Sequence, residues 1–290
     1  MNKLKILAPG KINLHLQITS KRDDGFHNLI SIFQMVSLYD EMTIESTRSN
    51  KIIVNGNFDC SMENNLIYKA ADWLKKTFTI NYGFRITCNK NIPSGAGMGG
   101  GSSDAAATLI GINSLLKLNI SDNVLQKGAL KLGSDIPFFL GSATAIAEGR
   151  GEKLYPLKTR KDLILLICNT GLYSSTKEAF NMFQINSNKP DSMSINELSN
   201  SYLNLSPSKW TFQNSFSSYL LKIHPIYEEI INIFNNNGSE FSSITGTGSS
   251  VFGVFSDHKT ANSAQMVLKD SNIITHKLKM LANRPEPVYN

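Results

Sequence analysis

Cysteine is scarce in this sequence. The 290 residues include three cysteines, which lie far apart and never in a CxxC pair: Cys60, Cys88 and Cys168. So few and so widely spaced thiols predict neither a disulfide framework nor a structural zinc site. This usage is typical of a protein from a reducing compartment.

Long apolar runs are lacking as well. The longest strong run, residues 163–168, is far too short for a membrane-spanning helix, which needs about 20 residues. The apolar stretch at the start of the chain is cut by Pro9 and Gly10, which makes it too short for a signal peptide. We therefore expect a soluble, cytoplasmic protein with no membrane partner.

Blocks of like charge are also absent. The formal net charge is +6, yet no run of five like charges occurs. A basic chain can bind nucleic acid, or it can handle anionic small molecules. The lysines are scattered and no zinc-finger, basic-zipper or ribonucleoprotein motif is present, which favours the second interpretation. We expect a small-molecule substrate and no nucleic-acid partner.

Strand and helix patterns are present and mixed without strict alternation, which indicates the α+β class. The chain is 41% hydrophobic and 18% charged, as expected for a globular protein with a sizeable core. Strands are predicted at residues 3–8, 12–18, 42–45, 52–54, 83–88, 163–168 and 251–255, and helices at 65–78, from Ser102 to about residue 117, and at 122–132. Residues 187–208 are predicted to form a loop or short surface helices. A proline-containing stretch at 155–161 divides the predicted domains 1–157 and 158–290.

The strongest signal is a glycine loop at residues 93–103, which reads Pro-Ser-Gly-Ala-Gly-Met-Gly-Gly-Gly-Ser-Ser. Its glycines free the backbone N–H groups and permit positive φ angles. A helix is predicted directly afterwards, and its unpaired N–H groups and dipole attract the same anion. The pattern predicts a cradle for a nucleotide phosphate, and a purely structural glycine loop is the less favoured alternative.

Three other nucleotide-binding motifs fit this chain poorly. Gly95-x-Gly97-x-x-Gly100 matches the dinucleotide fingerprint literally, but residues 89–94 separate it from the preceding strand, and no acidic residue ending a second strand follows about 20 residues on. Gly10-Lys11 lacks the rest of a Walker loop, and the His-Arg-Asp and Asp-Phe-Gly motifs of protein kinases are absent. An oxidoreductase is therefore the weaker alternative.

The glycine loop resembles the second motif of the GHMP kinases, the galactokinase–homoserine kinase–mevalonate kinase superfamily. Residues 8–14 (Ala-Pro-Gly-Lys-Ile-Asn-Leu) resemble its first motif, and residues 245–252 (Thr-Gly-Thr-Gly-Ser-Ser-Val-Phe) resemble its third. The resemblance spans nearly the full length. It implies a two-domain GHMP kinase fold, in which an N-terminal domain like domain 2 of ribosomal protein S5 and a ferredoxin-like C-terminal domain enclose the active site.

Three further segments resemble the diphosphocytidyl-methylerythritol kinase branch of that superfamily: residues 22–27 (Arg-Asp-Asp-Gly-Phe-His), 132–139 (Leu-Gly-Ser-Asp-Ile-Pro-Phe-Phe) and 147–152 (Ala-Glu-Gly-Arg-Gly-Glu). The implied reaction is the ATP-dependent phosphorylation of the C2 hydroxyl of a methylerythritol that carries a cytidine diphosphate group, in the non-mevalonate isoprenoid pathway. Phe26 stands where the branch commonly has tyrosine.

The resemblance also implies roles for single residues. Asp135 is the implied catalytic base, Lys11 holds it ionised and neutralises developing charge, and Asn13 orients the acceptor. ATP is implied to contact the whole loop, namely Pro93, Ser94, Gly95, Ala96, Gly97, Met98, Gly99, Gly100, Gly101, Ser102 and Ser103. A Mg²⁺ ion is implied to bridge the β- and γ-phosphates, and its protein ligands stay unknown.

The implied acceptor site is aromatic. Phe26 and Phe180 would stack on the two faces of the cytosine ring, His27 would recognise its polar edge, and Thr176 would contact the diphosphate region. Taken singly, residues of these types are more often core aromatics, snorkelling lysines or helix caps. Here they occur together, in the order along the chain that the family motifs have, which favours the functional interpretation.

Two other functions stay open on the sequence. The chain could phosphorylate a different alcohol, as homoserine or mevalonate kinases do, or it could be a non-catalytic nucleotide or sugar sensor on the same fold. A sensor would typically lose Lys11 or Asp135, and both are present. The oligomeric state, monomer or homodimer, is not legible.

Overall fold

The computed structural model of the chain describes residues 3–172, 174, 178–180, 192–271 and 273–289. Its strands are β1 (Lys3–Lys21), β2 (His27–Thr47), β3 (Ile52–Asn55), β4 (Gly83–Asn89), β5 (Thr144–Gly149), β6 (Lys153–Pro156), β7 (Ile164–Asn169), β8 (Phe241–Ile244), β9 (Ser250–Phe255), β10 (Thr275–Lys279) and β11 (Val288–Tyr289). Its helices are α1 (Leu66–Thr77), α2 (Gly100–Leu115), α3 (Asp122–Ala129), α4 (Ile136–Phe139), α5 (Ile195–Asn204), α6 (Ser217–Ile223), α7 (Ile226–Asn236) and α8 (His258–Asp270). The predicted α+β class is confirmed.

The first sheet is built around the long antiparallel pair of β1 and β2. Strands β4 and β5 pair with different stretches of β2, β3 runs parallel to β4, and β6 pairs with β5. Helices α1 and α2 cover this sheet and contribute to one hydrophobic core with β1, β2 and β4. The predicted helix at 65–78 is confirmed, and the side chain of Asn65 caps it by accepting a hydrogen bond from the Ile67 N–H.

The predicted break between two strands at residues 9–10 is wrong. Strand β1 continues through this point, and the pairing with β2 shifts register between Pro9 and Gly10. A bulge tolerates proline, which has no N–H, and glycine, which has no Cβ, because the ladder is already interrupted there. Beyond the bulge, Lys11 and Asn13 lie two residues apart and therefore on the same face of the strand.

The second sheet has the strand order β10-β7-β9-β8 and is antiparallel. Alternate side chains of β7 enter different cores. Leu165 and Ile167 pack with residues of β1 and β2, whereas Ile164 and Leu166 pack with helices α7 and α8. The two sheets thus share a core on one side of β7, while helices cover its other side.

Two predicted elements need correction. The predicted helix at 122–132 ends earlier, at Ala129. Of the predicted surface segment 187–208, residues 187–191 lie outside the described residues. Within the remainder, α5 begins with a capping box at Ser194 and buries Leu198 and Tyr202 completely, one turn apart on one face.

The end of the chain returns to the first sheet, because β11 pairs with β1 at Leu4 and Lys5. The division into domains 1–157 and 158–290 stays a prediction. No helix in the described part of the chain is long and apolar enough to cross a membrane.

Candidate functional site

A cleft of about 500 Å³ lies where β1, the glycine loop and the β8–β9 turn meet. This volume is in the range of small-molecule sites. Its wall includes ten consecutive residues of the predicted cradle, Pro93 to Ser102, together with Lys11, Asn13, Asp135, Gly246 and Thr247. Residues from all three predicted motifs therefore meet around one cavity.

The glycine loop needs its glycines at alternate positions. Gly95, Gly97 and Gly99 have φ angles of +66°, +72° and +69°, which side-chain-bearing residues rarely adopt. A Cβ on Gly97 would also stand 2.3 Å from the carbonyl oxygen of Thr245. The third motif therefore packs directly against the loop, and only glycine fits between them.

Helix α2 begins two residues earlier than predicted, at Gly100, with Gly99 at the N-cap. No side chain accepts a hydrogen bond at this helix start. The N–H groups of the first turn stay available for an anion in the cleft. Ser103 is buried and does not line the cleft, whereas Ser102 does.

The third motif supports the loop through its backbone. The N–H of Ser249 donates to the carbonyl oxygen of Gly95 (3.2 Å), and the N–H of Ser250 donates to that of Ala96 (3.3 Å). The turn itself is held by Asn214, whose amide donates to the carbonyl oxygens of Ile244 and Gly246. Sequence reasoning assigned no role to Asn214, although residues 214–216 (Asn-Ser-Phe) loosely resemble an Asn-Asp-Leu-Glu landmark of the family.

Lys11 and Asp135 come together in the cleft. The ammonium nitrogen of Lys11 lies 3.5 Å from Oδ2 of Asp135, and their side chains are 6% and 34% exposed. Asp135 stands at the N-cap of the short helix α4 but makes no capping hydrogen bond. Its carboxylate is thus directed to the cation and remains accessible to a ligand.

A polar network fixes Lys11. Its ammonium donates to Oδ1 of Asn13 (2.6 Å) and lies 5.0 Å from the centre of the Phe33 ring. The amide of Asn13 donates to the Ser31 hydroxyl, and its backbone N–H donates to the Thr245 hydroxyl, both at 2.9 Å. Sequence reasoning missed Ser31 and Phe33 as supports, since they lie in no motif and the register of β2 with β1 is visible only in the fold. Thr245 lies in the third motif, but sequence reasoning gave its hydroxyl no role.

The aromatic residues occupy two different places. Phe180 lines the cleft, and the ring of His27 contacts it with 5.4 Å between the centroids. Phe26 is 49% exposed, does not line the cleft, and carries the guanidinium of Arg150 at 4.6 Å from its ring centre. Thr176 lies outside the described residues. Whether Phe26 and Phe180 sandwich a base stays a prediction.

Family models match both halves of the chain. Residues 65–142 match the GHMP kinases N terminal domain, and residues 194–272 match the GHMP kinases C terminal domain. Among solved structures, a 4-(cytidine 5'-diphospho)-2C-methyl-D-erythritol kinase is 29% identical with a TM-score of 0.79 and covers 95% of this chain and 99% of its own. A homoserine kinase from Cytophaga hutchinsonii has a TM-score of 0.78 at 15% identity, covers 99% of this chain and 98% of its own, and is similar in fold alone.

Curated relatives are similar along most of the chain. The 4-diphosphocytidyl-2-C-methyl-D-erythritol kinase of Syntrophus aciditrophicus (strain SB) is 35% identical over 266 residues, which are 91% of this chain and 94% of that protein. The protein of the same name from Citrifermentans bemidjiense is 36% identical over 270 residues, with the same coverage. The chain belongs to the GHMP kinase family, and its α+β fold is the GHMP kinase fold.

Proposed function

We propose that this chain transfers the γ-phosphoryl group of ATP to the C2 hydroxyl of 4-diphosphocytidyl-2-C-methyl-D-erythritol, a step of isoprenoid biosynthesis. The observation that carries the reaction type is the Lys11–Asp135 pair facing the glycine loop across one cleft. The relatives that are 35–36% identical along most of the chain support this acceptor.

Asp135 acts as the general base, because its exposed carboxylate can accept the proton of an acceptor hydroxyl bound in the cleft. Lys11, held by Asn13, places a fixed positive charge beside the attacking oxygen and the transferred phosphoryl group. The glycine loop and the first turn of α2 bind the phosphates of ATP through backbone N–H groups. Phosphoryl transfer needs little more than this positioning and charge stabilisation.

Magnesium enters with ATP. In the described part of the chain, no cluster of three or more His, Cys, Asp or Glu could hold a metal ion, and Asp135 is the one carboxylate in the cleft wall. Because Asp135 is assigned as the base, this wall fits a Mg²⁺ ion held mainly by the substrate phosphates and its own waters, a common arrangement for Mg²⁺ in proteins. When bound, the ion would neutralise part of the phosphate charge, while the protein residues align the acceptor hydroxyl with the phosphates.

The acceptor end of the cleft is apolar. Leu16, Leu29, Phe180 and Phe216 line it, and His27 packs against Phe180. A flat base such as cytosine fits this wall, since bases stack on aromatic faces. We place the cytidine end of the acceptor here and its reacting hydroxyl beside Asp135.

The test is ADP release with a panel of acceptors: the cytidyl substrate, methylerythritol phosphate without the cytidine group, homoserine and mevalonate. We expect turnover with the first alone, and its loss in Asp135→Asn. Comparable turnover with homoserine or mevalonate would assign the chain to another branch of the family. No turnover with any acceptor, despite ATP binding, would favour a sensor.

A further inference from the structure

Three charged side chains form a cluster at the base of the glycine loop, outside the groups used for phosphoryl transfer. The ammonium of Lys90 donates to Oδ2 of Asp104 (2.6 Å) and to Oδ2 of Asp40. The two aspartate side chains are 0% and 3% exposed, and that of Lys90 is 17% exposed. Neither Asp40 nor Lys90 belongs to a motif singled out in the sequence.

Asp40 holds the chain as it enters the loop. Besides the contact with Lys90, its other oxygen accepts the backbone N–H groups of Asn91 (2.6 Å) and Ile92 (2.8 Å). One buried carboxylate from β2 therefore fixes three consecutive residues that directly precede Pro93. Hydrogen bonds from N–H groups to a buried carboxylate are among the stronger ones in proteins.

Asp104 holds the chain as it leaves the loop. It lies in the second turn of α2, one residue beyond Ser103, and it shares the ammonium of Lys90 with Asp40. The cluster of Asp40, Lys90 and Asp104 therefore links both ends of the glycine loop to each other and to β2. A loop with so many glycines has a large conformational freedom to lose, and this tie restricts it before a ligand arrives.

The cluster of Asp40, Lys90 and Asp104 also reaches the cleft. Lys90 lines it, and its ammonium stands 3.3 Å from the position of a Cβ on Gly100, the first residue of α2. A cation at the helix start adds to the attraction of the free N–H groups for phosphate oxygens. A buried ion pair is weak support for stability as such, because apolar side chains of similar size often replace it without loss.

We infer that Asp40 and Asp104 are positioning residues for the nucleotide, which hold Lys90 and both ends of the glycine loop in the phosphate-binding arrangement. This role concerns ATP and not the acceptor, so it holds whichever alcohol the enzyme phosphorylates. Burial raises the pKa of Asp104 to about 7, Lys90 opposes that rise, and Asp40 and the nearby thiol of Cys88 face the same region.

The test measures nucleotide binding directly, by calorimetric titration with a non-hydrolysable ATP analogue and Mg²⁺, so that it does not depend on the acceptor. The variants are Asp104→Ala, which removes the contact with Lys90, Asp104→Asn, which keeps an oxygen at that place, and Asp40→Asn. Asp72→Asn is the matched control, because Asp72 forms an exposed ion pair with Lys76 on α1, away from the loop. Thermal unfolding is recorded for each variant, and titrations are made well below the unfolding midpoint.

We expect the Kd for the analogue to rise roughly tenfold in Asp104→Ala, through lost pre-organisation, and less in Asp104→Asn, with no change in the control. In turnover assays the KM for ATP should rise in parallel, while the KM for the acceptor stays within about twofold of the parent value. A folded Asp104→Ala protein with unchanged Kd would overturn the inference, as would an equal rise of both KM values. If Asp104→Ala or Asp40→Asn does not fold, Asp104→Asn decides by the same criteria, with a twofold rise in Kd as its threshold.

Discussion

The ammonium of Lys11 lies 3.5 Å from the carboxylate of Asp135, although the two residues are separated by most of the first sheet and its helices. The bulge after Pro9 directs Lys11 into the cleft, and the start of α4 brings Asp135 to meet it. The fold thus brings a carboxylate and a cation from distant segments together in the cleft that the glycine loop lines.

Asp135→Asn should abolish most turnover and spare ATP binding. The amide cannot accept the acceptor proton, so kcat should fall by roughly 10²- to 10⁴-fold. Asp135 is not part of the glycine loop, so the Kd for an ATP analogue should stay within about threefold of the parent value. Stopped assays of ADP release and calorimetry measure the two quantities.

The matched control for this change is Asp162→Asn. Asp162 is exposed and pairs with Arg160 outside the cleft, so its loss should leave kcat unchanged. Turnover of Asp135→Asn close to that of the control would remove the assignment of Asp135 as the base.

Gly97→Ala should destabilise the folded protein even without ligand. The new Cβ would stand 2.3 Å from the Thr245 carbonyl oxygen, at a φ of +72°. We expect a loss of about 2 kcal/mol or more in the free energy of unfolding, measured with urea. Gly101→Ala is the control, because a Cβ there meets its nearest neighbour, Leu66, at 3.8 Å within a helix. It should be neutral or stabilising by up to about 1 kcal/mol, and an equal loss in both variants would contradict the packing explanation.

The sequence was informative where chemistry demands residue types at fixed spacing. The glycine loop, Lys11 and Asp135 were predicted from motifs, and the cleft brings them together. The residue types at these positions are restricted, because a positive φ angle favours glycine and the ion pair needs a cation and a carboxylate.

The supports of the site were not predictable in the same way. Asp40, Lys90 and Asp104 come from three separate segments. The register of β2 with β4 brings Asp40 close to Lys90, and the packing of α2 on the sheet adds Asp104. Likewise, the burial of Tyr202 in α5 depends on packing against residues of distant strands. Local propensity contains no information on such contacts, so the polar segment 187–208 is predicted to form a loop or short surface helices.

Phe180→Ala should weaken acceptor binding more than Phe26→Ala does. Phe180 lines the cleft, whereas Phe26 is half exposed beneath Arg150. Loss of one stacking platform costs about 1–3 kcal/mol, so the KM for the cytidyl acceptor should rise roughly 5- to 150-fold in Phe180→Ala. Steady-state kinetics at saturating ATP measure both variants. A larger effect of Phe26→Ala would mean that Phe26 turns towards the base when the acceptor binds, as the sequence resemblance predicts.

His15→Gln should make the stability of the protein less sensitive to acid. His15 is completely buried, and burial lowers its pKa from 6.5 to about 4, an effect that the side chain of Gln17 offsets only in part. As pH falls below 6.5, the unfolded chain takes up a proton at this position while the folded protein does not, so the stability contributed by neutral His15 is lost towards pH 4.

Between pH 7.5 and pH 5 we expect the parent to lose about 2 kcal/mol more than His15→Gln, measured by urea unfolding at both pH values. His258→Gln is the control for the replacement of a histidine as such, since His258 is exposed. Subtracting each variant from the parent cancels groups common to both, including Asp104, whose raised pKa acts in the opposite direction. Identical pH dependence in the parent and His15→Gln would show that His15 takes up its proton as readily in the folded protein as in the unfolded chain.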